Sequence, residues 1–507
     1  MTSSSFVSLG RLAQLAGAQL SGAVDSSSIQ ISSISLDSAA VAPGGLFAAL
    51  PGTRVHGAQF AAQTPAAAVL SDAAGAQLLS SAGETRPVLI VDDVRAVLGH
   101  LAAEIYGHPT ADMTVIGITG TSGKTTTSYL VEEGLLHAGY SVGLIGTTGT
   151  RINREPVATK LTTPEAPRLQ ELFATMRAQG VTHVVMEVSS HALALGRVQG
   201  VRFAAGAFTN LSQDHLDFHS SMEEYFDAKA TLFSGPDSAQ HAVVCVDDSW
   251  GQRMAERVDG ALTTVASAST EADLCATQLD VEATGAQRVV LRGVTSGTDL
   301  EFRLPLPGRF NIANAAVAVG LASAVGVDLD AFVHGIEQVR VPGRMERIEL
   351  GQDFLAVVDY AHKPAAVSAV LETLRGQVGK QARIAVVVGA GGDRDAAKRP
   401  LMGAGAARGA DLVIVTDDNP RSEDPAAIRA AVVAGAVDAG TAAEIREIGS
   451  RAQAIDAAVA WAQPGDAVIV VGKGHEVGQI VGEQTIHFDD REELARAVRA
   501  RTGAAKQ

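Results

Sequence analysis

The segment Gly120-Thr121-Ser122-Gly123-Lys124-Thr125-Thr126 sets two glycines, a lysine and four hydroxyl side chains between an apolar run, MTVIGIT, and a helical pattern, TSYLVEEGLLHAG. Glycines there let backbone N–H groups close on phosphate oxygens, and the helix N-terminus adds positive potential. Lys124 can reach the outer phosphates and Thr125 can ligate a divalent cation. The spacing is shorter than the standard phosphate loop, which would place glycine where Ile118 stands. A glycine turn with a surface lysine would use the same residues, but the order strand, loop, helix favours binding of ATP or GTP.

Phosphoryl transfer also needs a cation held by oxygen ligands. Two strand ends supply candidates: Glu187 in VVMEVSSH and the segment TNLSQDHLDFH, with Asp214, His215, Asp217 and His219. Two histidines four residues apart read as a solvated helix start rather than a zinc cluster. On pattern alone Lys229 is a helix-surface lysine.

These residues need a frame. A chain of 507 residues exceeds one domain, and about three domains of ordinary size would account for it. Apolar residues at 46% and charged residues at 19% exclude bulk disorder. The net charge of −16 gives no general attraction to nucleic acid or anionic lipid, so an anionic ligand needs a local cationic pocket. Two cysteines, no signal-like leader and no run of ~18 apolar residues lead us to expect a soluble cytoplasmic protein with no membrane partner. Short strand patterns such as ISSISLDS and GGLFAAL precede a proline turn, GHPTADM; strand and helix patterns then alternate, as in a parallel sheet. Pro342 and Gly343 mark a second break. Beyond it FLAVVDYA, RIAVVVGAGG, DLVIVTDDNP and DAVIVVGKGH read as buried strands whose polar loops gather at one carboxyl edge. The expected domains are residues 1–110, 111–342 and 343–507.

Assembled in order, LDSAAVAPGGLFAALPGTRVHGAQF, GTSGKTTT, LTTPEAP, MEVSSHALALGRV, TNLSQDHLDFH, YFDAKATLF, PGRFNIANAAVA, VPGRMERI, VDYAHKPAAV, GGDRDAAKRPLM, TDDNPRSEDP and VVGKGHEVGQ resemble the Mur ligases nearly end to end. The resemblance implies three α/β domains: an N-terminal mixed α/β domain for the UDP end of the substrate, a central P-loop ATPase with a mostly parallel sheet, and a C-terminal Rossmann-like domain bringing the amino acid. It implies ATP and Mg²⁺, small-molecule substrates, a monomer, and domain closure to bring the sites together. The implied reaction is amide formation, in which a substrate carboxylate takes the γ-phosphoryl of ATP and an amine displaces phosphate.

Residue by residue, the resemblance gives Gly120 to Thr126 to the phosphate loop, and Thr125, Glu187 and His215 to magnesium. Lys229 becomes an N6-carboxylated lysine, whose carbamate offers oxygen where an ammonium would repel the metal. Asn311, Asn314, Arg344, Asp359 and His362 fall around the nucleotide, and the guanidinium of Arg344 can follow the migrating phosphoryl charge. Leu36, Ser38, Thr53, Arg54, Val55, Thr162, Thr163, Ser189 and Arg197 fall on the UDP-muramoyl dipeptide. Arg197 has the clearest physical case, because an anionic diphosphate and carboxylates reward guanidinium contacts.

For the amino acid the resemblance gives Arg394, Asp418, Asn419, Pro420, Arg421, Gly472 and Glu476. The DNPR form is associated with meso-diaminopimelate, and charge matching explains why: Arg421 can pair its distal carboxylate, which lysine lacks, Glu476 suits the neighbouring ammonium, and Arg394 suits the other carboxylate. The alternatives are lysine addition, another Mur ligase, a folylpolyglutamate synthetase-like ligase and, from GAGG after a strand, a dinucleotide-binding protein. GAGGDRD lacks the glycine spacing of that last class. Four positions depart from the pattern: Ala39 for Arg, Ser122 for Asn, Leu195 for Gln and Gly478 for an aromatic residue.

Overall fold

The computed structural model describes residues 6–21, 25–52, 54–159, 161–268, 271–282, 284–294, 297, 299–379 and 381–504. Its contacts group into two compact units. The first comprises Met1–Leu211, Glu223–Val265 and Val317–Phe332; the second comprises Ser212–Met222, Ala266–Ala316 and Val333–Gln507.

Among its described residues the first unit contains two larger sheets, besides a short antiparallel pairing of Val7–Ser8 with Gln30–Ile31. Near the N-terminus, Val88–Ile90, Ala68–Ser71, Leu46–Ala49 and Ile34–Ser35 run parallel, and Gln19–Ser21 pairs antiparallel with Val88–Ile90. The helix Val94–Ile105 buries Val94, Leu98, Leu101 and Ala102 in the same core as Leu46, Leu70 and Leu89. Spacing of three and four residues puts those four side chains on one helix face.

The larger sheet of this unit is parallel through Val142–Gly146, His183–Glu187, Thr114–Thr119, Phe203–Phe208, His241–Cys245 and Ala261–Ala266. Gly149–Ile152 and Glu155–Val157 extend one edge antiparallel. Continuous apolar runs form these strands because helices cover both faces, so Val115, Ile116 and Ile118 are fully buried. The strand Thr114–Thr119 lies centrally. Its chain crosses to Val142–Gly146 through the helix Lys124–His137, leaving room for His183–Glu187 between them. A late segment also belongs here: Phe332 packs on Gly134, where an added Cβ would lie 2.3 Å from the ring.

The second unit has a sheet ordered Glu346–Arg347, Leu355–Asp359, Ala467–Val471, Ile384–Val388, Leu412–Val415, Glu444–Glu447, parallel except for the first strand. The last strand of this group to be made, Ala467–Val471, inserts between Leu355–Asp359 and Ile384–Val388, so the loops around it meet at the carboxyl edge. This is the gathering expected from the sequence. Two antiparallel groups, neither part of that sheet, were not foreseen: Leu274–Val281, Gln287–Arg292 and Leu300–Leu304, and a hairpin of Gly478–Val481 with Gln484–His487. Among the described residues no helix is long and apolar enough to cross a membrane.

Candidate active site

The phosphate loop follows Thr119 and opens the helix at Lys124, as its spacing predicts. Gly120 has φ +140° and Gly123 φ +89°, values open to glycine at little strain. At Gly120 there is no room for a side chain either, since a Cβ would lie 1.9 Å from Thr209 Oγ1. Ser122 N donates to Asn210 Oδ1 at 3.0 Å, and Thr209 Oγ1 donates to the Ser122 carbonyl at 2.7 Å. The neighbouring strand end thus clamps the loop. Lys124 Nζ donates to the carbonyls of Gly120 at 2.8 Å and Thr121 at 3.2 Å, while Thr121, Thr125 and Thr126 are buried.

On the other side of the central strand, Glu187 ends its strand with 1% exposure. Thr125 Oγ1 and Thr147 N donate to its Oε1 at 3.0 and 2.9 Å, and Thr147 Oγ1 donates to Oε2 at 3.0 Å. A buried carboxylate beside two threonine hydroxyls is a hard oxygen donor set, the kind Mg²⁺ selects. Thr147 escaped the sequence reading; its signal is the turn that ends the strand Val142–Gly146.

The surface reading of Lys229 is wrong. It is 1% exposed, its Nζ donates to the Gly120 carbonyl at 3.0 Å, and it lies 4.5 Å from the centre of the Tyr225 ring. The helix Met222–Ala230 turns this residue inward with Tyr225, four positions earlier. Tyr225 Oη and Thr121 Oγ1 are 3.1 Å apart, which ties the same helix to the phosphate loop.

The muramoyl-side residues divide. Thr163 Oγ1 donates to the Glu187 carbonyl at 2.9 Å and accepts from Ser189 N at 3.2 Å. Thr162 Oγ1 lies 3.4 Å from Thr147 Oγ1, and Ser189 caps the helix Ser190–Ala194. Arg197 donates to the Thr163 carbonyl at 3.2 Å and pairs with Glu165 at 2.7 Å. Arg95 pairs with the same carboxylate at 3.3 Å, so two guanidinium groups share one counter-charge. Arg95 was missed because it lies on the distant helix Val94–Ile105. Leu36 packs on the N-terminal core, Ser38 is half-buried, and Arg54 and Val55 are exposed. Thr53 lies outside the described residues.

In the second unit, His215 and His219 do not start a helix. His219 N donates to the His215 carbonyl at 2.9 Å in a turn, His215 has φ +53°, and His219 is 1% exposed rather than solvated. The turn is bound by Asp214, which lies 2.8 Å from Lys363 Nζ and 3.1 Å from His215 Nε2. Burial opposes ionisation of Asp214, but Lys363 and His215 hold its carboxyl well below the usual range. Among the described residues no cluster of three or more His, Cys, Asp or Glu is arranged to hold a metal.

Asn311 and Asn314 are buried on the helix Arg309–Ala324, beyond its first turn in the case of Asn314, and Asn314 Nδ2 donates to Asn311 Oδ1 at 3.1 Å. Asp359 accepts from Met345 N and Ala361 N, both at 2.7 Å, so it fixes the turn carrying Arg344. Burial raises its pKa despite Arg344. Arg344 stacks 4.2 Å above Tyr360. His362 is pushed down to about 3, first by burial and then by Lys363 and Lys398, and its Nδ1 meets the Tyr360 carbonyl at 2.9 Å.

At the carboxyl edge of the six-stranded sheet, Arg421 Nη1 donates to the Gly392 carbonyl at 2.7 Å. Its backbone, at φ +51°, is held by the hairpin: Arg421 N donates to the Ile480 carbonyl and Gly482 N to the Arg421 carbonyl. Asn419 Nδ2 donates to Glu476 Oε2 at 3.1 Å, while Asn419 Oδ1 accepts from Lys473 Nζ at 2.9 Å and Ile480 N at 3.0 Å. Gly472 has φ +119°, and a Cβ there would meet Asp418 Oδ2 at 2.6 Å. Pro420 is buried between Asn419 and Arg421, and Arg394 stands exposed on the loop after Ile384–Val388. Of the departures, Gly478 begins the hairpin, Ser122 lies in the clamped loop, Leu195 O meets Arg95 at 3.5 Å, and Ala39 is exposed.

A phosphate loop with a buried carboxylate beside it, and a separate α/β sheet with a charged loop cluster, define a nucleotide-dependent enzyme that handles a charged second substrate. The Mur ligase middle domain matches residues 118–322, the Mur ligase glutamate ligase domain residues 343–474, and the Mur ligase family catalytic domain residues 30–106. The chain belongs to the Mur ligase family, and is an ATP-dependent amide ligase. It is 62% identical over 462 residues to the UDP-N-acetylmuramoyl-L-alanyl-D-glutamate--2,6-diaminopimelate ligase of Corynebacterium glutamicum, covering 89% of each chain. It is 49% identical over 474 residues to the enzyme of that name from Streptomyces coelicolor, covering 92% of each. A solved structure of a ligase with that name aligns at TM-score 0.69 and 33% identity, covering 98% of this chain and 100% of the other. A MurF ligase of Thermotoga maritima in complex with ADP shares the fold at TM-score 0.63 and 17% identity, covering 93% and 98%.

Proposed function

We propose that the protein adds meso-2,6-diaminopimelate to UDP-N-acetylmuramoyl-L-alanyl-D-glutamate with cleavage of ATP to ADP, a step of peptidoglycan precursor synthesis in the cytoplasm. The observation that carries the amino-acid choice is the cluster of Arg421, Asn419 and Glu476 at one sheet edge, which supplies a cation for a carboxylate and an anion for an ammonium, the two groups at the far end of diaminopimelate. Relatives at 49% and 62% identity bear the name of that activity.

In the reaction a glutamate carboxylate oxygen attacks the γ-phosphorus and ADP leaves. The diaminopimelate amine, having lost a proton, then attacks the acyl carbon; the C–N bond forms and phosphate departs. The loop N–H groups and Lys124 neutralise phosphate charge as it shifts. Thr125 and Glu187 would hold Mg²⁺, with His215 as a further ligand by family resemblance; the ion supplies Lewis-acid neutralisation of phosphate oxygens. Lys229 carboxylation joins its amine to CO₂ and releases a proton. A carbamate there would keep one N–H to donate to the Gly120 carbonyl and would offer oxygens as ligands to a cation.

Arg344, Asn311, Asn314, Asp359 and His362 serve the nucleotide. Leu36, Ser38, Thr53, Arg54, Val55, Thr162, Thr163, Ser189 and Arg197 serve the muramoyl dipeptide, and Arg394, Asp418, Asn419, Pro420, Arg421, Gly472 and Glu476 serve diaminopimelate. The domains are taken as 1–110, 111–342 and 343–507, one substrate for each; the family matches, at residues 30–106, 118–322 and 343–474, each lie within one of them. The test is phosphate release from ATP with the UDP-muramoyl dipeptide, comparing meso-diaminopimelate with L-lysine; a preference for lysine would overturn the assignment.

A further inference from the structure

Lys473 plays no part in the reading above, yet it lies at the centre of the amino-acid cluster. Its side chain is fully buried, in the loop after Ala467–Val471. Its Nζ is 2.9 Å from Asn419 Oδ1 and 3.6 Å from both Asp418 Oδ1 and Glu476 Oε2. A lysine with no solvent access is retained only where several groups compensate its charge. Here they are residues from two loops that both belong to the amino-acid pocket.

We infer that Lys473 is a positioning residue for the incoming amino acid: its ammonium fixes the orientation of the Asn419 amide and keeps Glu476 ionised, so that the pocket accepts an ammonium group. The inference rests on the assignment of this pocket to diaminopimelate. Asn419 Oδ1 receives two donors, Lys473 Nζ and Ile480 N, which leaves Nδ2 pointing at Glu476. With the amide reversed, two donors would face two donors at one end, and the carbonyl would face a carboxylate at the other.

Charge gives the second half of the argument. Glu476 feels the charge of Asp418, from the facing loop, and of Lys473, three residues earlier on its own, and Arg451, at the start of its helix, adds a cation that Asp490 binds at 2.7 Å. Burial and the Asp418 carboxylate raise the pKa of Glu476, while Lys473 and Asn419 lower it. With Arg451 committed to Asp490, Lys473 is the cation that leaves Asp418 and Glu476 with one net negative charge. That charge suits a single ammonium. Without the lysine, two carboxylates that each lie 3.6 Å from its ammonium lose their shared cation, and Glu476, whose pKa burial and Asp418 already raise, takes up a proton more readily.

The test uses the full-length enzyme with Lys473→Met, Lys473→Gln and, in parallel, Arg421→Ala, following phosphate release from about pH 6 to about pH 9. Lys473→Met is expected to raise KM for diaminopimelate about 30-fold near neutral pH, with KM for ATP within about twofold of wild type. As pH rises Glu476 regains its charge and KM falls back toward wild type. Lys473→Gln keeps a donor for Asn419, so its KM rise is smaller but has the same pH dependence. A rise shared equally by ATP, or one that does not change with pH in either variant, would overturn the inference. If Arg421→Ala raises KM for diaminopimelate and neither lysine variant does, the inference fails alone; if Arg421→Ala has no effect, the pocket assignment fails with it.

Discussion

The phosphate loop and the proposed amino-acid pocket both sit at the carboxyl edge of a parallel sheet, but they are built in different ways. In the first, backbone does most of the work: Gly120 and Gly123 take positive φ, Lys124 and Lys229 both donate to the Gly120 carbonyl, and Asn210 and Thr209 clamp Ser122. In the second, side chains from separate loops hold one another: Asn419 bridges Lys473 and Glu476, and Arg421 reaches Gly392 while the hairpin secures its backbone. Every nucleotide presents the same phosphates, so a rigid backbone cradle suffices. Amino acids differ in their side-chain ends, and a network of side chains can be retuned by single substitutions.

That contrast can be broken by measurement. The largest expected effect is Lys124→Ala, which should lower kcat for phosphate release by about 10³-fold with every amino acid tried, because it removes charge stabilisation of the transferring phosphoryl. Lys229→Ala should follow at about 10²-fold, with partial recovery from a short added carboxylate; full activity without it would remove the carbamate from the mechanism. Arg421→Ala should raise KM for diaminopimelate by about 10- to 50-fold and change KM for ATP by less than twofold. Equal changes in both would show that the two sites do not act separately.

A smaller effect follows from the raised pKa of Glu476. A carboxyl with a raised folded pKa binds its proton more tightly in the native state, so acid neutralises it sooner than an exposed glutamate. KM for diaminopimelate should therefore rise on the acid side by several-fold while KM for ATP changes little, as read from initial rates at saturating levels of the other substrates. Asn314→Ala should be the mildest, about two- to fivefold in KM for ATP, since Asn314 reaches its neighbour Asn311 through a neutral hydrogen bond.

The same difference governs what could be read from the sequence. The phosphate loop is local: strand, glycines, lysine and helix follow within a few residues, and the structure places them as the pattern predicts. The strands FLAVVDYA, RIAVVVG, DLVIV and DAVIVVG were legible because burial on both faces leaves uninterrupted apolar runs. Lys229 was misread because nothing in DAKATLF shows which helix face meets Gly120. Lys473 was passed over because a lysine between glycines reads as exposed loop, whereas its burial depends on Asp418 and Asn419 more than fifty residues earlier. The hairpin after Gly478 was missed for a related reason: its residues are largely exposed, so it lacks the apolar alternation that marks a strand.

The packing of Phe332 on Gly134 has a consequence for how the protein is made. The phosphate-loop helix belongs to a unit that also requires Val317–Phe332, although most of that unit has left the ribosome before residue 266. At about 5–20 residues per second the intervening stretch occupies several seconds of translation. During that interval the nascent unit carries Gly134 without its aromatic cover, and a chain interrupted before residue 332 would keep an apolar face open to chaperones and proteases. The ring that covers Gly134 therefore arrives only after roughly two thirds of the polypeptide has been synthesised.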